Sequence, residues 1–402
     1  MRILYTTEYS GTNICGVWAR VKKEAEWMAQ QGHEIYIVST NVNKKGGTLP
    51  LPKVEWEVDK MTIRFKPKFR ISDNTSWWPR GELRKTIKEI EPDIIICNTY
   101  RHLETDICLA MANKMDIPCV LVTHAPFLED GIRSKKLSIA TRVYDKLFNK
   151  LNNYSKVVAI SKWEMPYLHK LGTNPANIIY LQNALPDELF QKVNTCYKNI
   201  TNITNITNIT NITPNKINKI LFLGRIVPIK DIPTLLKALS LLNDSKYKLT
   251  LAGPFEKEYR DFLVEEMRKL NIQDQICFVG SIDNLKDKID IIDEHDIFVL
   301  PSLREGMPTA LLEAMARGKI CISSNTQGAQ EIIQDGKNGF LFDIGNEKQL
   351  AERIKEVSNL GEAAEYISSN AIENAKQFQA SIIYPKTEQL YLSLLKPEPK
   401  SI

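Results

Sequence analysis

Short apolar runs alternate with longer stretches of helical period along the 402-residue chain. In the first half the runs are RILYTT (2–7), EIYIVST (34–40), DIIICNT (93–99), CVLVTH (119–124) and VVAIS (157–161). After position 217 the pattern restarts with KILFLGRI (219–226), KLTLAG (248–253), ICFVGS (276–281), IFVLPS (297–302) and KICISSN (319–325). Runs rich in Ile and Val without strict alternation are those of strands buried on both faces, and the stretches between them supply covering helices. The pattern predicts two successive α/β domains with doubly wound parallel sheets.

The length agrees, because one hydrophobic core does not grow to 402 residues. Between the halves lies NITNITNITNITNIT, 199–213, a three-residue repeat. It reads as a polar linker, although each unit also matches an N-glycosylation acceptor, which matters only in a secreted chain. The expected division is an N-terminal domain over 1–190, a linker over 191–217 and a second domain over 218–380. The tail SIIYPKTEQLYLSLL (381–395) has near-helical apolar spacing and follows completion of the second sheet.

Composition narrows the class. With 43% apolar and 25% charged residues and a net charge of +5, the chain reads as a soluble globular protein and not as a nucleic-acid binder. Its seven cysteines are scattered without C-x-x-C, so neither a disulfide framework nor a zinc site is indicated. The start, MRILYTTEYSG, enters a strand-like run directly, and no apolar run approaches a membrane span. A cytoplasmic protein is expected.

The chemistry concentrates after IFVLPS, in SLREGMPTALLEAMARG (302–318). Pro308 disfavours a helical Met307 and suits a first turn, so the helix should begin at Pro308 or Thr309, leaving Glu305 and Gly306 in a loop. The N–H groups of Thr309, Ala310 and Leu311 would point out of the helix start, where a phosphate is favoured. Glu313 then falls roughly 7–9 Å further along the axis, about the distance from a diphosphate to its ribose hydroxyls. The plainer alternative is that Glu305 caps the helix and Glu313 is a solvated surface acid.

Neighbouring charges favour an anion site. In FLGRIVPIKDIPTLLKAL (222–239), Gly224 and Arg225 leave the first strand of the second half, and Lys230 and Asp231 precede a helix. Ligands of open α/β sheets sit beyond the carboxyl ends of the strands, where both loops fall. Arg225 offers a rigid fork for phosphate oxygens and Lys230 a mobile point charge. A surface ion pair with Asp231 is the competing reading.

Together these residues resemble the retaining glycosyltransferases of family four (glycosyl transferases group 1), with the GT-B fold of two facing Rossmann-like domains and an interdomain cleft. Glu305 and Glu313 match the family's E-x7-E element, and Gly224, Arg225, Lys230 and Asp231 its G-R-x4-K-[GD] element. GAQEIIQDGKNGFLF, with Gly328, Glu331, Gly336 and Gly339, is similar to the run after the next strand, and residues 15–40 are similar to the glycine-rich loop, first helix and second strand. One departure is Cys15 where the family has the first of two loop glycines, leaving Gly16. It bears on the fit of the sugar, not on the reaction type.

The resemblance implies transfer of a sugar from a nucleoside-diphosphate sugar, UDP- or GDP-linked, to an acceptor hydroxyl with the anomeric configuration kept. His124, Glu305, Arg225 and Lys230 would be catalytic. Gly16, Gly306, Met307, Thr309, Ala310, Glu313, Ser281 and Ile282 would bind the donor, the last two meeting the base. His102 is a weaker second histidine candidate near the acceptor side. The tail, about 381–402, is expected to be a helix packed on the N-terminal domain. No D-x-D occurs, so no metal and no cofactor are expected. The acceptor is expected to be a glycan or lipid-linked glycan of cell-surface polysaccharide or glycolipid synthesis. Trp77-Trp78-Pro79-Arg80 and the basic segment 131–156 suggest contact with the inner face of a membrane, against an ordinary amphipathic core helix. Competing readings are a non-catalytic nucleotide-sugar sensor and a sugar-nucleotide epimerase or a phosphorylase on the same fold. A nicotinamide dehydrogenase is disfavoured, because neither half has G-x-G-x-x-G after its first strand.

Overall fold

The computed structural model describes residues 1–11, 16–42, 47, 49–57, 60–72, 75–125, 135–193, 217–282 and 284–395. The Asn-Ile-Thr repeat and Cys15 lie outside them. The chain forms two compact units, Met1–Ala184 joined by the segment from Ser381, and Leu185–Ala380.

The first unit holds strands β1 (Arg2–Tyr9), β2 (Glu34–Thr40), β3 (Val54–Glu57), β4 (Lys60–Phe65), β5 (Arg70–Ser72), β6 (Thr75–Ser76), β7 (Ile94–Asn98), β8 (Cys119–Val122), β9 (Lys156–Ala159) and β10 (Ile178–Tyr180). Its helices are α1 (Gly16–Gln30), α2 (Arg80–Ile90), α3 (Leu103–Met115), α4 (Lys135–Phe148) and α5 (Met165–Lys170). The sheet runs β10-β9-β8-β7-β1-β2-β4-β3, and β5 and β6 form a separate ribbon. All pairs in that sheet are parallel except β3 with β4.

That antiparallel edge escapes the sequence pattern because the two strands carry charges. Lys60 and Arg64 are buried on β4 and pair with Glu57 at 2.6 Å and Glu55 at 2.5 Å on β3. Cross-strand ion pairs replace apolar alternation there.

The second unit holds β11 (Lys219–Leu223), β12 (Lys248–Ala252), β13 (Ile276–Gly280), β14 (Ile297–Leu300), β15 (Ile320–Ser324) and β16 (Phe340–Phe342), ordered β13-β12-β11-β14-β15-β16 and all parallel. Its helices are α6 (Ile232–Leu242), α7 (Lys257–Lys269), α8 (Leu285–Asp293), α9 (Thr309–Ala316), α10 (Gln327–Gln330), α11 (Glu347–Ser358) and α12 (Ala363–Lys376). Both units are therefore Rossmann-like, and all ten apolar runs contain strands.

The strand order reverses between β1 and β7 in one sheet and between β11 and β14 in the other. Such switch points open a crevice at the carboxyl edge, because connections leave to opposite faces.

The last helix, α13 (Ala380–Leu394), returns to the first unit. Tyr391 donates to Glu24 of α1 at 2.6 Å, His33 lies 2.7 Å from Glu388, and Trp27 meets Tyr384 with ring centroids 5.6 Å apart. At the other crossing the chain changes unit at Leu185, earlier than the expected boundary at 190. Leu185 and Leu189 are fully buried in the second core, and Leu185 exchanges backbone bonds with Phe378 and Ala380 at 2.7 and 2.8 Å. The buried Arg317 guanidinium then grips the carbonyls of Leu189 and Gln191 at 3.0 and 2.7 Å.

Candidate active site

At the carboxyl edge of the second sheet, three neighbouring strands end in glycine or run directly into one. A Cβ on Gly253 would lie 1.9 Å from the Gly224 carbonyl oxygen, and the Gly253 N–H donates to Gly280 at 2.6 Å. Only glycine permits this approach, which brings the ends of β11, β12 and β13 together. Gly328, in α10, plays the same part for the next loop, since its Cβ would stand 2.5 Å from Gly306 O and 2.8 Å from Glu305 O.

Helix α9 begins at Thr309, behind Pro308, as the proline predicts. The Leu311 N–H, expected to be free, instead donates to the Pro308 carbonyl at 3.1 Å. The helix-start groups without an acceptor of this kind are thus those of Thr309 and Ala310. Met307 and Ala310 also pack against the core of this unit.

Glu305 does not cap α9, whose cap position has no side-chain bond. Its Oε1 accepts from Lys230 Nζ at 2.5 Å and from Ser302 Oγ at 2.6 Å. Nor is Glu313 a solvated acid. It is buried, and both carboxylate oxygens take bonds from Lys288 Nζ on α8, at 2.9 and 3.1 Å. Both plainer readings of the pair are thereby replaced.

Asp231 partners neither cation: it sits at φ 45°, accepts from Thr234 Oγ1 at 2.6 Å and starts α6, with its pKa raised by burial. Arg225, at the end of β11, has no hydrogen-bond or ion-pair partner among the described residues. Ser281 and Ile282 follow β13, Ser281 exposed and Ile282 packed on the core. Arg225, Lys230, Glu305, Gly306, Thr309 and Ala310 thus share one edge, on the connections after β11 and β14 and the start of α9.

Ser302 and Lys288 are the functional neighbours that sequence reasoning missed. Ser302 was visible as the serine ending IFVLPS. Lys288 had no signal, since its partner lies 25 positions away on another helix.

In the first unit, Gly16 opens α1 and is exposed, with nothing within 4 Å of a would-be Cβ. His124 follows β8 in the left-handed region, at φ 56°. Its Nε2 is 2.9 Å from Asn98 Oδ1, and Asn98 Nδ2 donates to the Thr6 carbonyl at 3.0 Å. That second bond fixes the amide, so Nε2 carries the proton and Nδ1 keeps its lone pair. Burial, then the Arg20 charge and His102, hold the His124 pKa well below the usual value, so the ring is neutral.

His102 occupies the cap position of α3, against Glu8 at the end of β1 and Glu104 in the first helical turn. Burial and then the Glu104 carboxylate raise the Glu8 pKa to about 7. For His102, burial acts downward, but the Glu104 and Glu8 carboxylates together outweigh it and its pKa is raised.

The membrane-facing expectations divide. Trp78 is fully buried and donates to Glu8 Oε2 at 3.0 Å, so it is no surface anchor. Trp77 stacks on Phe69 with Arg80 over its ring. On α4, Ile139 and Val143 are exposed, unlike an ordinary core helix. No helix among the described residues is long and apolar enough to cross a membrane.

Two Rossmann-like units, the second with cations, a helix start and two acids at the carboxyl edge of its sheet, define the class of GT-B glycosyltransferases. The family model for glycosyl transferases group 1 matches residues 205–374, and that for glycosyltransferase family 4 matches residues 14–189. The chain belongs to the group 1 glycosyltransferases. It is 30% identical over 180 residues to the capsular polysaccharide biosynthesis glycosyltransferase CapM of Staphylococcus aureus, covering 44% of this chain and 46% of that one. It is 26% identical to an uncharacterised glycosyltransferase of Methanocaldococcus jannaschii, over 74% of each chain. Except for that archaeal protein, the chain spans about half the length, or less, of these curated relatives. Among solved structures, sucrose-phosphate synthase of Thermosynechococcus elongatus matches with TM-score 0.76 and 19% identity over 98% of both chains. Anabaena HepE in complex with UDP and glucose matches with TM-score 0.72 and 17% identity, over 98% of this chain and 100% of that one. These establish the GT-B fold.

Proposed function

We propose that the protein transfers a sugar from a nucleoside-diphosphate sugar to an acceptor hydroxyl with retention of configuration, in the synthesis of a polysaccharide or glycolipid. The observation that carries this reading is the carboxyl edge of the second sheet. There Arg225 has no partner among the described residues and Lys230 is poised on Glu305, while the Thr309 and Ala310 N–H groups open the helix behind them. Structures of the same fold with bound UDP support a nucleotide donor.

As the glycosidic bond breaks, negative charge grows on the diphosphate. Arg225, Lys230 and the helix start would stabilise it in place, each charge-assisted bond contributing about 1.5–3 kcal/mol. Two fixed cations make a metal ion at the diphosphate unnecessary. Glu305 serves as a grip on the sugar hydroxyls and not as a nucleophile: its Oε1 is already occupied by Lys230 and Ser302, and Oε2 has no partner among the described residues. Glu313 would take the ribose hydroxyls, with Lys288 holding its carboxylate in place. His124, neutral and braced by Asn98, would contact the transferred sugar. The acceptor is a glycan or lipid-linked glycan, and the exposed Ile139 and Val143 of a basic helix suit contact with a membrane surface.

A thermal-shift panel of UDP-, GDP- and ADP-sugars, run with magnesium and with EDTA, tests the donor. One class should stabilise the protein equally in both buffers, and the shift should vanish in Arg225→Ala. No shift with any donor, or a shift only with magnesium, contradicts the reading. Product release by Glu305→Ala at the wild-type rate would remove the sugar-gripping role.

A further inference from the structure

The switch point of the first sheet holds a cluster that the proposed transfer does not use. Glu8 is the last residue but one of β1, and His102 and Glu104 lie in the cap and first turn of α3, which follows β7. One ligand atom from each lies within 4.8 Å of the other two. Glu104 is fully buried, and neither of its carboxylate oxygens has a hydrogen-bond partner. Its ion-pair neighbour is His102 Nδ1, 3.2 Å from Oε1, itself without a hydrogen bond. Neither Glu8 nor Glu104 has a lysine or arginine partner among the described residues.

Two dehydrated carboxylates with so little compensation are unfavourable. The start of α3 supplies only about half a positive charge. The loop that delivers His102 is itself held out of the ordinary conformations, with Thr99 at φ 76° and Arg101 at φ 70°.

We propose that Glu8, His102 and Glu104 bind one divalent transition-metal cation, zinc being the ion that fits the donors. One imidazole nitrogen and two carboxylates form an N/O set of intermediate softness, suited to zinc and poorly suited to calcium or magnesium. With zinc–ligand bonds of ~2.1 Å, ligand atoms stand at most ~4.2 Å apart, so the group contracts slightly around the ion. The Trp78 indole N–H already orients Glu8 through Oε2 at 3.0 Å, the kind of outer bond that fixes a ligating carboxylate. The ion would tie the start of α3 to the end of β1. This site is in the first unit and does not bear on how the diphosphate is neutralised in the second.

The test uses the full chain, stripped with chelator and then given zinc chloride, with bound metal counted by mass spectrometry and melting followed in parallel. One zinc per chain is expected, with a melting temperature raised by roughly 5–10 °C when zinc stands at about 100 times its dissociation constant. His102→Ala and Glu104→Gln should each lose the bound zinc and the shift. Should either variant fail to fold, Glu8→Gln and the cobalt(II) absorption spectrum of the wild type read the same ligands. Absence of stoichiometric zinc with unchanged melting overturns the proposal and leaves the cluster holding a proton. Zinc retained by the folded variants overturns it equally, by placing the ion elsewhere.

Discussion

Where β11, β12 and β13 end, the second sheet places Gly224, Gly253 and Gly280, all at positive φ. Where β7 and β8 end, the first sheet places Thr99, Arg101, His124 and Ala125, non-glycine residues in the left-handed region. The same topological position is thus built in two ways. Glycine lets backbone approach backbone and leaves room for a bulky anion beside N–H groups. Strained non-glycine residues give up some stability to aim particular side chains, here His124 and His102. On the proposed reading one edge accepts a diphosphate, while the other holds imidazoles and carboxylates at fixed positions.

The largest effect expected from breaking this contrast is on turnover. Lys230→Ala should lower the transfer rate by about 10²–10³, the usual loss for one fixed group stabilising developing charge, with melting little changed. A steady-state assay beside a melting curve checks it. Next comes Gly253→Ala, whose Cβ has backbone at 1.9 Å. It should destabilise the second unit by about 3 kcal/mol, read by urea denaturation. Gly32→Ala, equally left-handed at φ 83° but with nothing within 4 Å, should lose only about 1 kcal/mol. Tyr391→Phe, which removes the bond to buried Glu24, should weaken docking of α13 by about 1–2 kcal/mol.

The smallest effect is a pH dependence of the second unit. His295 has a pKa below the ordinary one, chiefly because burial disfavours its charged form. As pH falls below about 6.5 the unfolded chain takes up a proton there that the folded one refuses, so this contribution is full above that value and declines beneath it. In the first unit the buried Glu8, raised to about 7, acts in the opposite direction from His124. His295→Gln should flatten the decline in the second unit, measured as denaturation midpoints between pH 5 and 8.

Much of this was legible in the sequence, for reasons visible in particular residues. Strands buried on both faces announce themselves as apolar runs, which is why VVAIS and IFVLPS marked their strands. Val54–Glu57 and Lys60–Phe65 did not, because their buried charges pair across the strands. The three-residue β10 and β16 are too short to show a period. Pro308 located the start of α9 by simple stereochemistry. The partners that complete the site were hidden, since Lys288 for Glu313 and Asn98 for His124 are set by packing across elements. Of the Glu8–His102–Glu104 cluster only His102 is legible in the sequence, because Glu8 lies on β1 and reaches the start of α3 only through the pairing of β1 with β7. Trp78, in an aromatic run that suggests a surface anchor, is instead the hydrogen-bond donor that orients Glu8.

The account's central claim is that the diphosphate of a sugar donor is met by Arg225 and Lys230 beyond β11. Calorimetric titration of UDP and GDP into wild type, Arg225→Ala and Lys230→Ala, all in EDTA, tests it most directly. One nucleotide should bind the wild type, and each substitution should weaken it by roughly 10–100-fold, matching the loss of one charge-assisted contact. Equal affinity in all three proteins would contradict the claim.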